Sequence, residues 1–364
     1  MNLLVNTIKK ITPTDKGKYK EAMDRLSIQA RPAGSLGALE PLSARLAGIA
    51  GNIDVRLTNK VIVTCAADHG IVEEGVSLFP QNVTAQMIFN FVNGGASISV
   101  LAKHAGARVI TADFGINSDF AKDLPIFHKK VRKGTRNFAV ERAMTREEAV
   151  RSIEAGIEIV NELMEKKQVN MIATGDMGIG NTSSSAAIIA AFSGIEVEKL
   201  TGRGTGIDDN RLKNKIEIIK KALDLHKPDP GDPLDILSKI GGFEIGGLAG
   251  LVIGAASLSI PVVCDGLIST AGALIACELA PLAKEYLFAS HLSVESGHKY
   301  MLERLGLKPL FDLQLRLGEG TGAVLAMEIL DAATRVLAEI KTFEEVGIVN
   351  ARYSTKFKSV KNGA

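Results

Sequence analysis

Residues 169–182 read VNMIATGDMGIGNT, an apolar segment running straight into a glycine-rich turn. The apolar part, 169–174, does not alternate with polar residues, which suits a strand buried on both faces of a parallel sheet. Four other segments follow the same pattern. Lys60–Ala67 (KVIVTCAA) ends in Asp68-His69-Gly70, and residues 107–112 (ARVITA) end in Asp113-Phe114-Gly115. Residues 260–264 (IPVVC) end in Asp265-Gly266, and 285–289 (EYLFA) end in Ser290-His291-Leu292-Ser293. Helical periodicity fills the intervals at 85–104, 146–166 and 209–225. Strand, helix, strand in repetition predicts an α/β fold: a Rossmann-like parallel sheet flanked by helices. Ligands of such sheets bind beyond the carboxyl ends of the strands, where these polar turns lie.

The termini read as helices without strands, at 19–30, 36–49 and 321–340. They predict a small helical domain from residues 1–50 and 323–364 beside a catalytic α/β domain, 51–322. Residues 246–263, rich in apolar side chains but broken by glycines, two serines and Pro261, read as a buried helix leading into a strand. Residues 227–233 (KPDPGDP) read as a surface loop. The stretch 117–152 carries no assignable motif.

Composition narrows the function classes. The chain has 364 residues, 46% hydrophobic and 23% charged, with a net charge of +2, so a sizeable core is expected and no basic block argues for nucleic acid. The basic tail, residues 356–361, reads as a solvated terminus. Residues 1–20 are polar and lysine-bearing, without the apolar core of a signal peptide, and no membrane span is visible. Cys65, Cys264 and Cys277 are far apart and form no metal-ligand spacing or disulfide framework, which predicts a cytoplasmic protein.

Four constellations could carry chemistry. In Gly175-Asp176-Met177-Gly178-Ile179-Gly180-Asn181-Thr182, glycines after a strand let backbone approach a ligand, and amides opening the next helix favour an anion. Taken alone, this loop reads equally as a phosphate cradle or a tight structural turn; it matches neither a Walker loop nor GxGxxG. Gly202-Arg203-Gly204-Thr205-Gly206-Ile207-Asp208-Asp209, with Lys215 following, reads by itself as a capping aspartate with solvated lysines. Arg316-Leu317-Gly318-Glu319-Gly320-Thr321-Gly322 places a carboxylate between glycines. A structural use for Glu319 there is hard to find, whereas a dry, glycine-lined cleft would raise its pKa toward that of a working base. His69, His291 and His298 match no metal motif and read as hydrogen-bonded structural residues, with Asp68 or Glu295 as partners.

Together these segments resemble the nicotinate-nucleotide–dimethylbenzimidazole phosphoribosyltransferases of cobalamin lower-ligand assembly. The resemblance covers most of the chain. It includes Arg31-Pro32-Ala33-Gly34-Ser35-Leu36-Gly37, Ala67-Asp68-His69-Gly70-Ile71, Glu74-Gly75-Val76-Ser77 and Asn93-Gly94-Gly95-Ala96. It continues through the loop at 177–182, Gly241-Gly242-Phe243-Glu244-Ile245, the Asp265-Gly266 turn, Ser290-His291 and residues 316–322.

The resemblance implies a homodimer that moves phosphoribose from nicotinate mononucleotide to 5,6-dimethylbenzimidazole or a related aromatic nitrogen base. Nicotinate leaves, C1′ inverts, and α-ribazole 5′-phosphate forms. Neither a metal nor another cofactor is expected. It further implies Glu319 as general base, with Asp176 and Lys215 as active-site partners. Phosphate and ribose would be held by Gly178, Ile179, Gly180, Asn181, Gly204 and Ser293, and the base by Ser77, Phe79, Gln86, Met87 and Leu317. Family members often carry glutamate where this chain has Asp176, a carboxylate set back by ~1.5 Å, which bears on base preference. A nucleotide-dependent dehydrogenase would need a glycine fingerprint after an early strand, which is missing. A non-catalytic paralogue or heteromeric partner subunit, or an enzyme for another lower-ligand base, remains open on sequence.

Overall fold

The computed structural model describes residues 3–166 and 169–348. The basic tail at 356–361 lies outside them. The fold is α/β. Six parallel strands form one sheet: β1 Lys60–Ala67, β2 Arg108–Gly115, β3 Phe127–His128, β4 Met171–Met177, β5 Val262–Cys264 and β6 Leu287–Ala289. Their order is β3-β2-β1-β4-β5-β6. Every residue of β1 is buried, as its unbroken apolar sequence requires of a central strand covered on both faces.

The chain forms two compact units. The first comprises Met1–Pro13 and Thr58–Glu328 and holds the whole sheet; the second comprises Thr14–Leu57 and Ile329–Ala364. In the second, Ala22, Leu26, Ala44, Ala47 and Leu337 form a buried cluster. Arg31 and Glu40 make an ion pair there at 2.6 Å.

In the sheet unit the helix Phe243–Ser257 is buried along nearly its entire length. Its glycines let it approach the helix Arg146–Lys166 closely. A Cβ on Gly156 would sit 2.2 Å from the carbonyl oxygen of Gly247, so neither helix tolerates a side chain at the crossing. The three cysteines are free and buried. Among the described residues no helix is long and apolar enough to cross a membrane.

Two expectations are corrected. The helix predicted over 85–104 is two helices, Val83–Val92 and Ser97–His104. Gly94 between them takes φ +76°, a left-handed turn that ends the first helix. The unassigned stretch 117–152 contains β3, two residues pairing with Ala112 and Asp113 of β2.

Candidate active site

The strand order reverses its direction of growth between β1 and β4, the point where an open parallel sheet leaves a crevice. A cleft of about 380 Å³ opens beyond the carboxyl ends of these strands, lined from β4 by Asp176 and Met177, from the β5 turn by Gly266, and from the β6 turn by His291 and Ser293. That volume suits a small-molecule ligand.

Glu319 lies in the cleft wall, 5% exposed. It adopts φ +64°, between Gly318 at +85° and Gly320 at +98°, so three successive residues are left-handed. For a glutamate this conformation is strained and persists only where surrounding contacts impose it. Several contacts do so. The Glu319 amide donates to the carbonyl of Asp176 at 3.1 Å. The Glu319 carbonyl accepts from Thr64 Oγ1 at 3.0 Å. A Cβ on Gly175 would lie 2.3 Å from that same carbonyl oxygen, which explains the glycine there. At the carboxylate, Oε2 accepts the amide of Ile98 at 3.2 Å. Burial raises the pKa of Glu319 above 4.5, with the Ile98 amide pulling the other way. A carboxyl group so placed is suited to take a proton near neutral pH.

Two further carboxylates adjoin it. Asp176 is 5% exposed; Oδ2 accepts from Asn181 Nδ2 at 3.1 Å, and Oδ1 is buried without a partner. Burial first, then the negative charges of Asp265 and Glu244, push its pKa well up. Asp265 is 1% exposed, and burial raises its pKa to about 7 against the pull of three backbone amides. Those amides belong to Gly320, Gly322 and Ala323, at the start of the helix Thr321–Glu339.

The anion side is built from helix starts. Gly178, Ile179, Gly180, Asn181 and Thr182 all line the cleft. Gly180 caps the helix Asn181–Ser193 at φ 96° with no side-chain bond; the Asn181 and Ser183 amides donate to the carbonyls of Gly178 and Gly180, at 3.2 and 3.0 Å, and the helix start still presents its positive end to the cleft. The helix Leu267–Leu279 likewise starts at Gly266 without a side-chain cap, and Gly266, Leu267 and Ile268 line the cleft. Gly204 and Ser293 join this wall.

Lys215 is not in the lining. It is fully buried behind it, its Nζ donating to Thr182 Oγ1 at 2.8 Å and to the Gly202 carbonyl at 3.3 Å. This corrects the reading of a solvated lysine. Burial lowers its pKa to about 8, partly opposed by the charge of Glu295. The capping aspartate of that reading is present: Asp208 accepts the amide of Arg211 at 2.9 Å.

Ser77, Phe79, Val83, Met87 and Leu317 also line the cleft. Phe79 and Leu317 are about half exposed, at 51% and 56%. Gln86 is the exception among the expected base contacts. It is exposed and outside the lining, because on the helix Val83–Val92 the cleft-facing positions are Val83 and Met87, one turn apart.

The imidazole rings of these histidines are engaged in hydrogen bonds, but with other partners than Asp68 or Glu295; Glu295 meets His298 only through backbone, its carbonyl accepting the His298 amide at 3.0 Å. His69 Nε2 lies 2.6 Å from Glu244 Oε1 and its Nδ1 lies 3.0 Å from Ser184 Oγ. His298 Nδ1 accepts the Ser293 amide at 2.9 Å, leaving Nε2 toward Thr270 Oγ1. His291 Nδ1 lies 2.9 Å from Ser290 Oγ. Glu295 instead accepts the Gly204 amide at 2.9 Å. Among the described residues no group of three or more His, Cys, Asp and Glu is arranged to hold a metal ion.

Sequence reasoning missed three contributors. The Ile98 amide gives no sequence signal. The Asp265-Gly266 turn stood in the sequence as a strand end and as one of the segments of the resemblance, with no role for Asp265, and the lining role of the Gly266–Ile268 backbone follows from the same turn.

Residues 11–348 match the DBI_PRT phosphoribosyltransferase family. The chain is 55% identical over 351 residues, 96% of its length and 100% of the relative's, to the nicotinate-nucleotide–dimethylbenzimidazole phosphoribosyltransferase of Citrifermentans bemidjiense. It is 51% identical to the protein of that name from Roseiflexus sp., over 96% of this chain and 98% of the other. Among solved structures, CobT from Thermus thermophilus superposes with a TM-score of 0.88 at 42% identity, covering 92% of this chain and 99% of that one.

Proposed function

Because the chain belongs to the DBI_PRT phosphoribosyltransferase family, we propose that Glu319 is the general base of its phosphoribosyl transfer. The protein is a nicotinate-nucleotide–dimethylbenzimidazole phosphoribosyltransferase of cobalamin biosynthesis. The observation that carries the assignment is the Glu319 carboxylate, buried in the cleft wall, with a raised pKa and one oxygen held by the Ile98 amide.

In the proposed reaction Glu319 takes the N–H proton of the benzimidazole while the other ring nitrogen attacks C1′ of the ribose. The C1′–nitrogen bond to nicotinate breaks, and its electron pair neutralises the cationic pyridine ring. Attack from the opposite face inverts the β-glycoside to α. The phosphate rests on the uncapped helix start at Gly178–Asn181, including the Ile179 backbone, with Gly204 and Ser293 closing around it. Lys215 supports this wall from behind through Thr182, so its charge acts on the phosphate without contact. Asp176, beside Gly318, borders the space between the base and the phosphate. Ser77, Phe79, Met87 and Leu317 hold the ring of the incoming base.

We further place the enzyme in the cytoplasm as a homodimer with small-molecule partners only. Free buried thiols suit a reducing compartment. Exposed Leu78 (45%) and Phe89 (49%) suit burial against a second copy.

The test is turnover by the purified chain alone. Nicotinate mononucleotide and 5,6-dimethylbenzimidazole are mixed with it, and nicotinate release and α-ribazole 5′-phosphate are followed by chromatography. Product of α configuration supports the reading; a folded chain inert toward a panel of aromatic bases overturns it.

A further inference from the structure

We propose that Asp265 is a positioning residue for the reaction, holding Glu319 in its strained working conformation without touching substrate. The inference rests on Glu319 being the general base. It comes from how the two oxygens of Asp265 divide their work. Oδ1 accepts the amides of Gly322 and Ala323, at 2.8 and 2.9 Å, and so caps the helix Thr321–Glu339. Oδ2 accepts the amide of Gly320 at 3.0 Å. Gly320 is the residue directly after Glu319, and both are left-handed. One oxygen therefore anchors a helix and the other fixes the backbone of the turn that carries the base.

Asp265 is itself immobile. It is 1% exposed, and its carbonyl accepts from Ser290 Oγ at 3.1 Å. The glycine at 322 lets His291 close over the same point, since a Cβ there would lie 2.0 Å from His291 Nδ1. Glu319 is thus held on two sides: Asp265 grips the amide that follows it, and Thr64 grips its carbonyl at 3.0 Å. Both holds act on the backbone, so they set where the carboxylate points. A displacement of about 1 Å at a reacting group is enough to cost on the order of 100-fold in rate.

Asp265→Asn separates the two functions. The amide oxygen can continue to cap the helix, while the new NH₂ confronts the Gly320 N–H as donor against donor. We expect kcat to fall about 10- to 100-fold, with KM for nicotinate mononucleotide and for the base within about twofold. Thr64→Val, which removes the other hold and leaves the carboxylate intact, should lower kcat in the same direction. Either change, added to Glu319→Gln, should cost less than about twofold more, because a residue acting through Glu319 has nothing left to position. A purely structural residue would reduce turnover in that background as well.

Near-normal kcat in Asp265→Asn, a change in KM alone, or full additivity with Glu319→Gln would overturn the proposal. Near-normal turnover by Glu319→Gln itself would instead overturn the general-base reading on which it rests. If Asp265→Asn does not fold, the Thr64→Val and Glu319→Gln pair carries the same test.

Discussion

The backbone amide of Ile98 lies 3.2 Å from Oε2 of Glu319, so a helix start 221 residues upstream holds one oxygen of the base. That contact stabilises the ionised form, while burial favours the neutral one, and burial prevails. The carboxylate is therefore a stronger base than a free glutamate, with one of its oxygens still held by an amide.

Glu319→Gln keeps the shape of the side chain and removes the proton acceptor. Turnover should fall roughly 10²–10⁴-fold with the fold retained, measured by nicotinate release beside the circular dichroism of both proteins. Near-normal turnover would remove Glu319 from the mechanism.

Rate should depend on pH at both ends. Glu319 works as a carboxylate, so kcat/KM should decline as pH falls through its raised pKa, above the ordinary 4.5. Lys215 is charged only below about 8, so the phosphate wall loses its ammonium as pH rises through that value and KM for nicotinate mononucleotide should increase. Lys215→Met should abolish the alkaline limb and leave the acid limb. A profile of the variant that keeps both limbs would exclude Lys215 as the source.

Met87→Ala should raise KM for dimethylbenzimidazole by roughly 10-fold or more and change KM for nicotinate mononucleotide little, since lost apolar contact costs on the order of 1–3 kcal/mol per methylene. Gln86→Ala, on the solvent side of the same helix, should leave both constants unchanged. Equal effects of the two substitutions would mean that this helix does not face the base.

Asp176→Glu lengthens a carboxylate already within 3.1–3.4 Å of where a Cβ on Gly318 would stand. The expected result is an altered rate ratio between dimethylbenzimidazole and other bases, read from competition assays with pairs of bases. An unchanged ratio with every base would detach Asp176 from base choice.

Gly175→Ala forces a methyl group to within 2.3 Å of the Glu319 carbonyl. Overpacking of this kind costs about 1–3 kcal/mol, which a large sheet tolerates, whereas the turn must move. Turnover should fall much more steeply than thermal stability. A drop in melting temperature with normal specific activity would count against rigid placement of that turn.

The sheet could be read from the chain because β1, β2, β4, β5 and β6 are apolar runs ending in polar turns, and the sheet's topology places those turns at one edge. β3 escaped because two residues carry no periodicity. The split at Gly94 was hidden by apolar periodicity that continues through it, although Asn93-Gly94-Gly95 is a stop signal. At the cleft, Glu319 was legible because a carboxylate between glycines has few structural uses. Gln86, expected at the base, stands exposed outside the lining, whereas helical spacing from Met87 leads to Val83 within it. Lys215 read as solvated because burial of a lysine depends on Thr182 and Gly202, which local sequence does not reveal. The same holds for His69 and Glu244, partners 175 residues apart.

The three thiols lie on different elements: Cys65 on β1, Cys264 on β5 and Cys277 in the helix Leu267–Leu279. Burial pushes the pKa of each thiol up, to about 12 for Cys264, so the native chain presents almost no thiolate to a reagent. Alkylation then has to wait for local opening, and each cysteine labels at the pace of its own element. The protein thus carries three internal clocks, two for the breathing of its sheet and one for the helix Leu267–Leu279.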